Sequence, residues 1–425
     1  MKAIVLAAGK GERLEPLTLT RPKHMISVGG KPALEWLLQA LKEVEIRDVL
    51  IVTSYKEDNI RRYFRDGSDF GLRLSYITQK QVVGTAPAIG EAREYVGDED
   101  FLAVYGDLLV SDTALRSIIA ETASKESRMA VVRVNNPSLY GVVEVEGGLV
   151  TSIVEKPKVG EAPSNLANAG IYFLKPDIFP YIKNMAVSPR GEVEFTDSLQ
   201  RYVKDRRVVR ASIISGEDWL DIGHLWNILD ANERVLRKLN RRTEGEIEEG
   251  VHILGPVVVE KDAKIRSGAY LEGPVLIGER SDIGPNCYIR PCTSIGKDVR
   301  IGNSCEIKNS IIMDRTHVAH LSYIGDSVIG SDCNFGAGTT TANVRFDRRN
   351  ISVVERGRKL DTGKKKLGTF MGDDVQTGVN VSLMPGVKIG PGSWIAPGLC
   401  VYEDIPPETF LTLERPRLES KSKSE

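Results

Sequence analysis

The chain has 425 residues, 41% of them hydrophobic, which is enough for two or three cores at ~150 residues per domain. Lys and Arg number 57 against 58 Asp and Glu; a net charge of -1 gives no global field for nucleic acid or an anionic membrane, so any phosphate binding has to be local. No apolar run nears the roughly 20 residues of a transmembrane helix, and the N-terminus lacks a basic stretch leading into an apolar core and cleavage site, which fits a cytoplasmic enzyme.

The first predicted element is the β-branched run Lys2-Ala3-Ile4-Val5-Leu6, a buried strand. It leads into Leu6-Ala7-Ala8-Gly9-Lys10-Gly11-Glu12-Arg13 and then Arg21-Pro22-Lys23. Two glycines behind a strand let backbone N–H groups approach a phosphate, and Arg13 and Lys23 add positive charge. A plain strand-to-helix turn is the competing reading. Further on, the apolar runs Val49–Thr53, Leu74–Ile77 and Phe101–Tyr105 alternate with helical periodicity over 33–44, 58–64 and 86–95. Such alternation predicts an α/β domain with a mostly parallel sheet, in which ligands sit beyond the carboxyl ends of the strands. The loop 7–13 and the end of the Phe101 strand then share one crevice. Asp107 follows that strand through Gly106, where a carboxylate suits Mg²⁺, which takes hard oxygen ligands; a turn-capping aspartate is the alternative.

Residues 225–239 again have helical period and end in Arg237-Lys238-Leu239-Asn240-Arg241-Arg242; 243–250 are acidic and poor in apolar residues. These mark a boundary, giving domains 1–224 and 251–413 joined by a linker helix and connector, 225–250, with a charged tail at 414–425. Beyond the boundary Ile253, Val259, Ile265, Leu271, Ile277, Ile283, Ile289, Ile295, Ile301, Ile307 and Met313 recur at a six-residue interval. A period of six fits neither helix nor hairpin and predicts a parallel β-helix of hexapeptide turns. The phase slips to Val318 and Ile324, slips again to Ile329 and Phe335, and resumes near Met371. The break between Arg345 and Leu367 is basic; it reads as a solvated excursion or as a receiver for the phosphates of a large cofactor. Five cysteines (Cys287, Cys292, Cys305, Cys333, Cys400), an odd number without a Cys-x-x-Cys pair, read as buried free thiols.

The first 230 or so residues resemble the sugar-1-phosphate nucleotidylyltransferases, whose opening motif Leu-Ala-Ala-Gly-x-Gly-x-Arg followed by Pro-Lys falls on Leu6 to Arg13 and Pro22-Lys23. With the β-helix, taken as the left-handed kind, the whole chain resembles the bifunctional enzymes that acetylate glucosamine-1-phosphate and then make UDP-N-acetylglucosamine. The resemblance implies that Leu6 and Ala8 help bind the nucleotide, that Gly9 and Gly11 lie against the triphosphate, that Arg13 grips its β- and γ-phosphates, and that Lys23 neutralises charge on the α-phosphate. It implies base reading by Gln79, Gly84 and Thr85, sugar-phosphate binding by Gly141, Glu155, Lys156 and Asn168, and Mg²⁺ held by Asp107 and Asp221. In the second half His320-Leu321-Ser322-Tyr323-Ile324-Gly325-Asp326 resembles the acetyltransferase motif. There His320 would be the general base, suited by an imidazole that titrates near neutral pH, while nearby His317 reads as structural. Arg290 and Lys308 would hold the sugar phosphate, Tyr323, Asn334 and Asn343 the sugar and acetyl group, and Ala337 with its flanking glycines the acetyl-CoA thioester. UTP or dTTP is the implied nucleotidyl donor, and a homotrimer acting only on small molecules is the implied assembly. Glu12 stands where threonine is common, and Leu17-Thr18 with Arg21-Pro22-Lys23 is closer to the thymidylyl and guanylyl types. This keeps open a single-activity glucose-1-phosphate thymidylyltransferase or mannose-1-phosphate guanylyltransferase with a purely structural β-helix.

Overall fold

The computed structural model describes residues 1–80, 83–119, 126–183, 191 and 193–413; the tail 414–425 lies outside the described residues. The chain forms two compact units, one made of Met1–Leu14, Arg21–Ser27 and Lys31–Asn227, the other of Glu15–Thr20, Val28–Gly30 and Ile228–Glu425.

In the first unit the elements that matter are β1 (Lys2–Ala7), α1 (Ala33–Glu43), β2 (Asp48–Thr53), α2 (Glu57–Phe64), β3 (Arg73–Thr78), α3 (Thr85–Gly90), β4 (Phe101–Tyr105), β5 (Leu108–Val110), β6 (Ser127–Arg133), β7 (Gly141–Glu146), β8 (Leu149–Glu155), β9 (Leu166–Leu174), α4 (Phe195–Lys204), β10 (Val209–Ile214) and β11 (Trp219–Asp221). The described strands build a nine-stranded sheet in the order β3-β2-β1-β4-β9-β6-β10-β8-β7. Strands β3, β2, β1 and β4 are parallel, as the alternation with helices requires, whereas β9 enters antiparallel to β4 and β6. The parallel arrangement therefore covers the first 105 residues and the rest of the sheet is mixed. Both faces are covered. Ala3, Val5 and Ala7 of β1 pack with Leu34, Leu37, Leu38 and Leu41 of α1, which lie at helical spacing on one stripe; Ile4 and Leu6 pack with Ala86 and Ile89 of α3 on the other face. A strand buried on both sides has no polar face, which is why β1 reads as an unbroken apolar run.

The second unit is a stack of three parallel sheets. Its inward rows are vertical series of apolar side chains eighteen residues apart: Ile247, Ile265, Ile283 and Ile301 in one sheet, Ile253, Leu271, Ile289 and Ile307 in the next, Val259, Ile277 and Ile295 in the third. Nearly all are fully buried, each contributing ~1.5–3 kcal/mol from lost contact with water. The first coil already forms at Arg242–Thr243 and Glu246–Ile247, within the stretch read as a connector. The inward row of the third sheet continues from Ile295 to Ile312, and not to Met313 as the six-residue count has it. The corner between Ile307 and Ile312 is one residue short, and so is the corner between Ile324 and Ile329. At the same corner of the following coil, after Thr341, the chain leaves the stack over 342–369, makes the hairpin Ser352–Glu355 with Arg358–Asp361, and returns at Phe370–Met371. Four cysteines are buried as expected, but Cys400 is exposed, standing on the outward position beside Ser382.

Helix α5 (Leu225–Leu236) carries the boundary between units, and its second half packs Leu236 on Val258 and Leu276, which face outward from one sheet. Within this unit Asn232 is fully buried. Its Oδ1 accepts from the Gly29 N–H and from Ser294 Oγ, both at 2.8 Å, and its Nδ2 donates to the Cys292 carbonyl at 3.0 Å. Gly30 has φ +79°, and a Cβ there would stand 2.9 Å from a Leu276 methyl, so only glycine lets this turn lie against the coil. Asn232→Ala leaves one buried N–H, one hydroxyl and one carbonyl without partners. It should cost ~2–4 kcal/mol, read as a lower urea midpoint at unchanged slope; a loss under ~1 kcal/mol would show that the network contributes little.

Candidate functional site

The first cluster forms where β1 and β4 end side by side. Gly106 donates its N–H to the Leu6 carbonyl at 2.9 Å, and a Cβ on Gly106 would come within 2.8 Å of that oxygen and 3.0 Å of the His24 ring. Only glycine fits between them. Ala8 is buried; Gly11 has φ +73° and its carbonyl accepts from Leu14 N–H at 2.8 Å, turning the chain so that Arg13 is exposed on a short 3₁₀ turn, Glu12–Leu14. The Lys23 ammonium lies within van der Waals reach of the position a Gly9 Cβ would take and is ion-paired with Asp107. Asp221 arrives from far along the sequence. Strands β5 and β11 pair antiparallel with Asp221 opposite Leu108, and Ile222 N–H donates to the Asp107 carbonyl at 3.1 Å.

Withdrawal from water and the charge of Asp107 push the Asp221 carboxyl up to about 6, opposed by Lys23 and Arg13. Asp107 goes the other way: burial would raise it, but the ammonium of Lys23 beside it outweighs that and holds it below the ordinary carboxylate range. Two neighbouring carboxylates with one balancing ammonium suit a Mg²⁺ that takes its remaining ligands from phosphate and water. Among the described residues no group of three or more His, Cys, Asp or Glu side chains forms a complete protein cage.

The sugar-side residues are gathered by strand register. Gly141 is opposite Glu155 across β7 and β8, and Lys156 N–H donates to the Tyr140 carbonyl at 3.0 Å. Glu155 accepts from Thr196 Oγ1 at 2.9 Å, and a Cβ on Gly141 would be 2.7 Å from the same carboxylate. Asn168 sits at an irregularity of β9; its Nδ2 donates to Tyr172 OH at 2.6 Å, which bonds Tyr105 OH at 3.1 Å. Gln79 is buried and its amide donates to the Gly84 carbonyl at 3.2 Å, while Thr85 Oγ1 accepts from Phe195 N–H at 2.9 Å. Gly84 is at φ +138° with Val193 backbone 2.2 Å from where a Cβ would be. Thr196, Tyr105 and Tyr172 carry no local motif; only the folded sheet brings them to Glu155 and Asn168.

The second cluster is on the coils. Asp326 is buried at the short corner, its Oδ2 accepting from Lys308 Nζ at 3.2 Å and from Asn343 Nδ2 at 2.5 Å, and its Oδ1 from Asn309 Nδ2 at 2.7 Å. Asn343 also donates to Tyr323 OH at 3.0 Å, and Arg290 pairs with Glu306 at 2.8 Å one strand position away from Tyr323. Lys308, Tyr323 and Asn343 are thus together, and Arg290 is next to them. His320 is exposed on a different sheet, opposite Asn303, with its carbonyl accepting from Gly338 N–H at 3.3 Å; Asn334 pairs with His317 and Gln376 on that sheet. No hydrogen bond among the described residues joins the side chains of His320 or Asn334 to the Asp326 cluster. Ala337 lies at the next corner, its carbonyl accepting from Asn380 N–H at 2.8 Å.

The nucleotidyl transferase family matches residues 2–238, and the GMPPB C-terminal domain matches residues 271–391. The chain is similar to a bifunctional sugar-1-phosphate nucleotidylyltransferase/acetyltransferase of Sulfurisphaera tokodaii, 43% identical over 409 residues that make up 95% of this chain and 98% of the relative. It is similar to a bifunctional protein GlmU of Methanococcus maripaludis, 44% identical over 412 residues, 97% of each chain. Among solved structures, UDP-glucose pyrophosphorylase complexed with UDP-glucose superposes with a TM-score of 0.51 and 28% identity, covering 56% of this chain and 98% of that one. No helix among the described residues is long and apolar enough to cross a membrane.

His24 supplies a pH test of the first cluster. It is fully buried and neither ring nitrogen has a hydrogen-bond partner among the described residues; burial, then the charge of Lys23, push its imidazole down to about 3, with Asp107 pulling the other way. Its folded value is below the ordinary 6.5, so its contribution to stability is complete above pH 6.5 and is lost as pH falls toward 3. Asp221, raised from 3.8 to about 6, has the opposite slope between those values, so the difference between variants isolates the histidine. In His24→Phe, the stability advantage of the wild type should shrink by ~1.4 kcal/mol per pH unit from pH 6.5 to 4 in urea titrations. A difference that stays constant with pH would show that His24 is not held neutral.

Proposed function

The chain belongs to the family of bifunctional sugar-1-phosphate nucleotidylyltransferase/acetyltransferases, and from that premise we propose a two-step reaction on one polypeptide. Acetyl transfer from acetyl-CoA to glucosamine-1-phosphate, or its galacto epimer, comes first. Nucleotidyl transfer from UTP or dTTP to the N-acetylated sugar-1-phosphate follows, releasing pyrophosphate. The observation that carries this is the presence of two separate polar clusters, one on each unit, over a length shared almost end to end with relatives named for both activities. A purely structural β-helix would not need a buried carboxylate collecting three side-chain donors at one corner, and this counts against the single-activity reading.

In the acetyl step His320 takes a proton from the sugar amine as the nitrogen attacks the thioester carbonyl; the C–S bond breaks and the proton leaves with the thiol. Arg290 and Lys308 hold the sugar phosphate, Tyr323, Asn334 and Asn343 fix the sugar and acetyl group, and Ala337 borders the thioester. The placement of His320 on a different sheet from the Asp326 cluster fits sites completed by another copy of the chain, in a homotrimer. The basic excursion, with Arg348, Arg349, Lys365 and Lys366 outside its ion pairs, suits the phosphates of coenzyme A.

In the nucleotidyl step a sugar-phosphate oxygen attacks the α-phosphorus in line as the bond to the β-phosphate breaks, chemistry carried mainly by positioning and charge stabilisation. Leu6, Ala8, Gly9 and Gly11 border the triphosphate, Arg13 holds its outer phosphates and Lys23 meets charge gathering at the α-phosphate. Asp107 and Asp221 would hold Mg²⁺, which when bound neutralises phosphate charge. Gly141, Glu155, Lys156 and Asn168 orient the sugar phosphate, and Gln79, Gly84 and Thr85 form the wall for the base. A cytoplasmic setting fits these soluble substrates.

Incubating the protein with glucosamine-1-phosphate and acetyl-CoA should release free thiol, and His320→Ala should lower that rate ~10²–10⁴-fold. Absence of thiol from the wild type, or equal release from the variant, rejects the acetyltransferase assignment. Separately, Lys23→Ala and Asp107→Asn should each suppress pyrophosphate release at least ~100-fold while sparing thiol release; if either retains nucleotidyl transfer, that residue does not have the assigned role. Running UTP against dTTP in the same assay fixes the base.

A further inference from the structure

Asp326 has no role in the two-step scheme, yet it is the most connected side chain of the second cluster. It sits with φ +51° in the shortened corner between Ile324 and Ile329, its N–H donating to the Lys308 carbonyl at 2.9 Å. Only 4% of it is exposed, and its carboxylate oxygens accept from three side-chain donors: Lys308 Nζ, Asn309 Nδ2 and Asn343 Nδ2. Its backbone carbonyl accepts from Gly368 N–H at 2.8 Å, and Leu367 N–H donates to the Asn343 carbonyl at 3.0 Å. One residue therefore holds both ends of the 342–369 excursion, Asn343 by its side chain and Gly368 by its main chain. Gly368 has to be glycine for this approach, because a Cβ there would stand 2.1 Å from the Gly325 carbonyl and from Ser327 Oγ.

We propose that Asp326 is the positioning residue of the acetyl-transfer site: it fixes Lys308 and Asn343 and, through Asn343, the Tyr323 hydroxyl, at the neck of the basic excursion. The proposal rests on the reading of that site given above. Its chemistry is specific to a carboxylate. Two oxygens with four lone-pair positions can accept all three donors, whereas an asparagine of the same shape must turn an NH₂ toward one of them. Either Asn309 or the Lys308–Asn343 pair then meets a donor at hydrogen-bond distance in a buried site, and the pair also loses the charge that holds the ammonium in place. With Asn343 donating to the Tyr323 oxygen, the phenol proton is turned away from Asn343, so the carboxylate also fixes which way that hydroxyl can donate.

The test uses the full chain and two readouts. In Asp326→Asn, hydrogen–deuterium exchange of peptides within 343–368 should speed up at least tenfold, with the coil strands on either side unchanged. The KM for glucosamine-1-phosphate in thiol release should rise at least tenfold, with the rate of pyrophosphate release within twofold of wild type. Asn309→Ala, which removes one donor without touching Lys308 or Asn343, should stay within twofold in both readouts. Should the asparagine variant fail to fold, Asp326→Ala, which places no donor against a donor, should shift both readouts in the same direction. Unchanged exchange, or a KM for glucosamine-1-phosphate that stays unchanged or moves equally in Asn309→Ala, overturns the proposal. Exchange needs no turnover, so a wild type that releases no thiol would reject the acetyl-transfer reading while exchange still decides whether Asp326 ties the excursion.

Discussion

Each coil of the second unit has to bring its backbone back to hydrogen-bond distance of the coil before it, ~4.8 Å away, while sending an apolar side chain inward from each of three strands. The rest of that unit depends on this closure. Where a corner loses a residue the strands stay in register, because the loss is taken entirely in the turn. Hydroxyl side chains link successive coils there as at full-length corners: Ser310 Oγ accepts from Ser327 N–H at 3.1 Å and Ser327 Oγ from Thr369 N–H at 3.0 Å, just as Thr316 Oγ1 accepts from Cys333 N–H at 3.1 Å. The shortened corner thus forms a column, Ser310, Ser327 and Thr369, and the polar cluster is built on its flank. Coil closure and the candidate acetyl-transfer site are the same stretch of chain.

The first unit solves a different problem. Its cations and carboxylates come from segments far apart in sequence, and no periodic pattern aligns them. Alignment is provided by strand ends: β1 and β4 finish together, and the short β5–β11 ladder fixes Asp221 next to Asp107. The ladder is anchored from behind by Trp219, buried, with its indole N–H on the Ala169 carbonyl at 2.8 Å. Because Ala169 belongs to the irregular part of β9 that also presents Asn168, one indole couples the carboxylate side of the crevice to the sugar side.

What the sequence discloses follows the range of the forces involved. Six-residue periodicity is local and repeated, so the coils were legible, and so was the parallel run β3-β2-β1-β4, whose strands are apolar on both faces. The misplaced Met313 shows where local counting stops: a five-residue step looks like noise in a hydrophobic pattern, yet Ile312 takes the inward position because closure is a constraint between coils. The antiparallel entry of β9 has no local signature at all. In the candidate site, glycines and cations next to strand ends were readable from their spacing, whereas Thr196 against Glu155 and Tyr172 against Asn168 depend on tertiary packing. Asp326 stands inside the stretch that resembles the acetyltransferase motif, but its connections come from three donors that converge only when coils stack.

The chain is nearly neutral, and the same balance recurs at each place proposed to meet phosphate. Lys23 is paired with Asp107, Lys308 with Asp326, Arg290 with Glu306 and Lys364 with Asp230. A cation already paired gives a phosphate less than a bare one would, since the incoming anion has to share it with a carboxylate or displace that carboxylate. In exchange each of these cations is held with its charge compensated and its side chain already oriented. The two clusters differ in how that balance can be shifted. On the proposed function, Asp107 and Asp221 would hold Mg²⁺, whose charge would lessen the hold of Asp107 on Lys23. At Asp326 the carboxylate is buried under three donors and tied to the coil, so on the proposed function Lys308 would meet the sugar phosphate with the pair intact. On the proposed function, the first cluster is arranged to be completed by charged ligands, and the second to hold a fixed geometry before any ligand arrives.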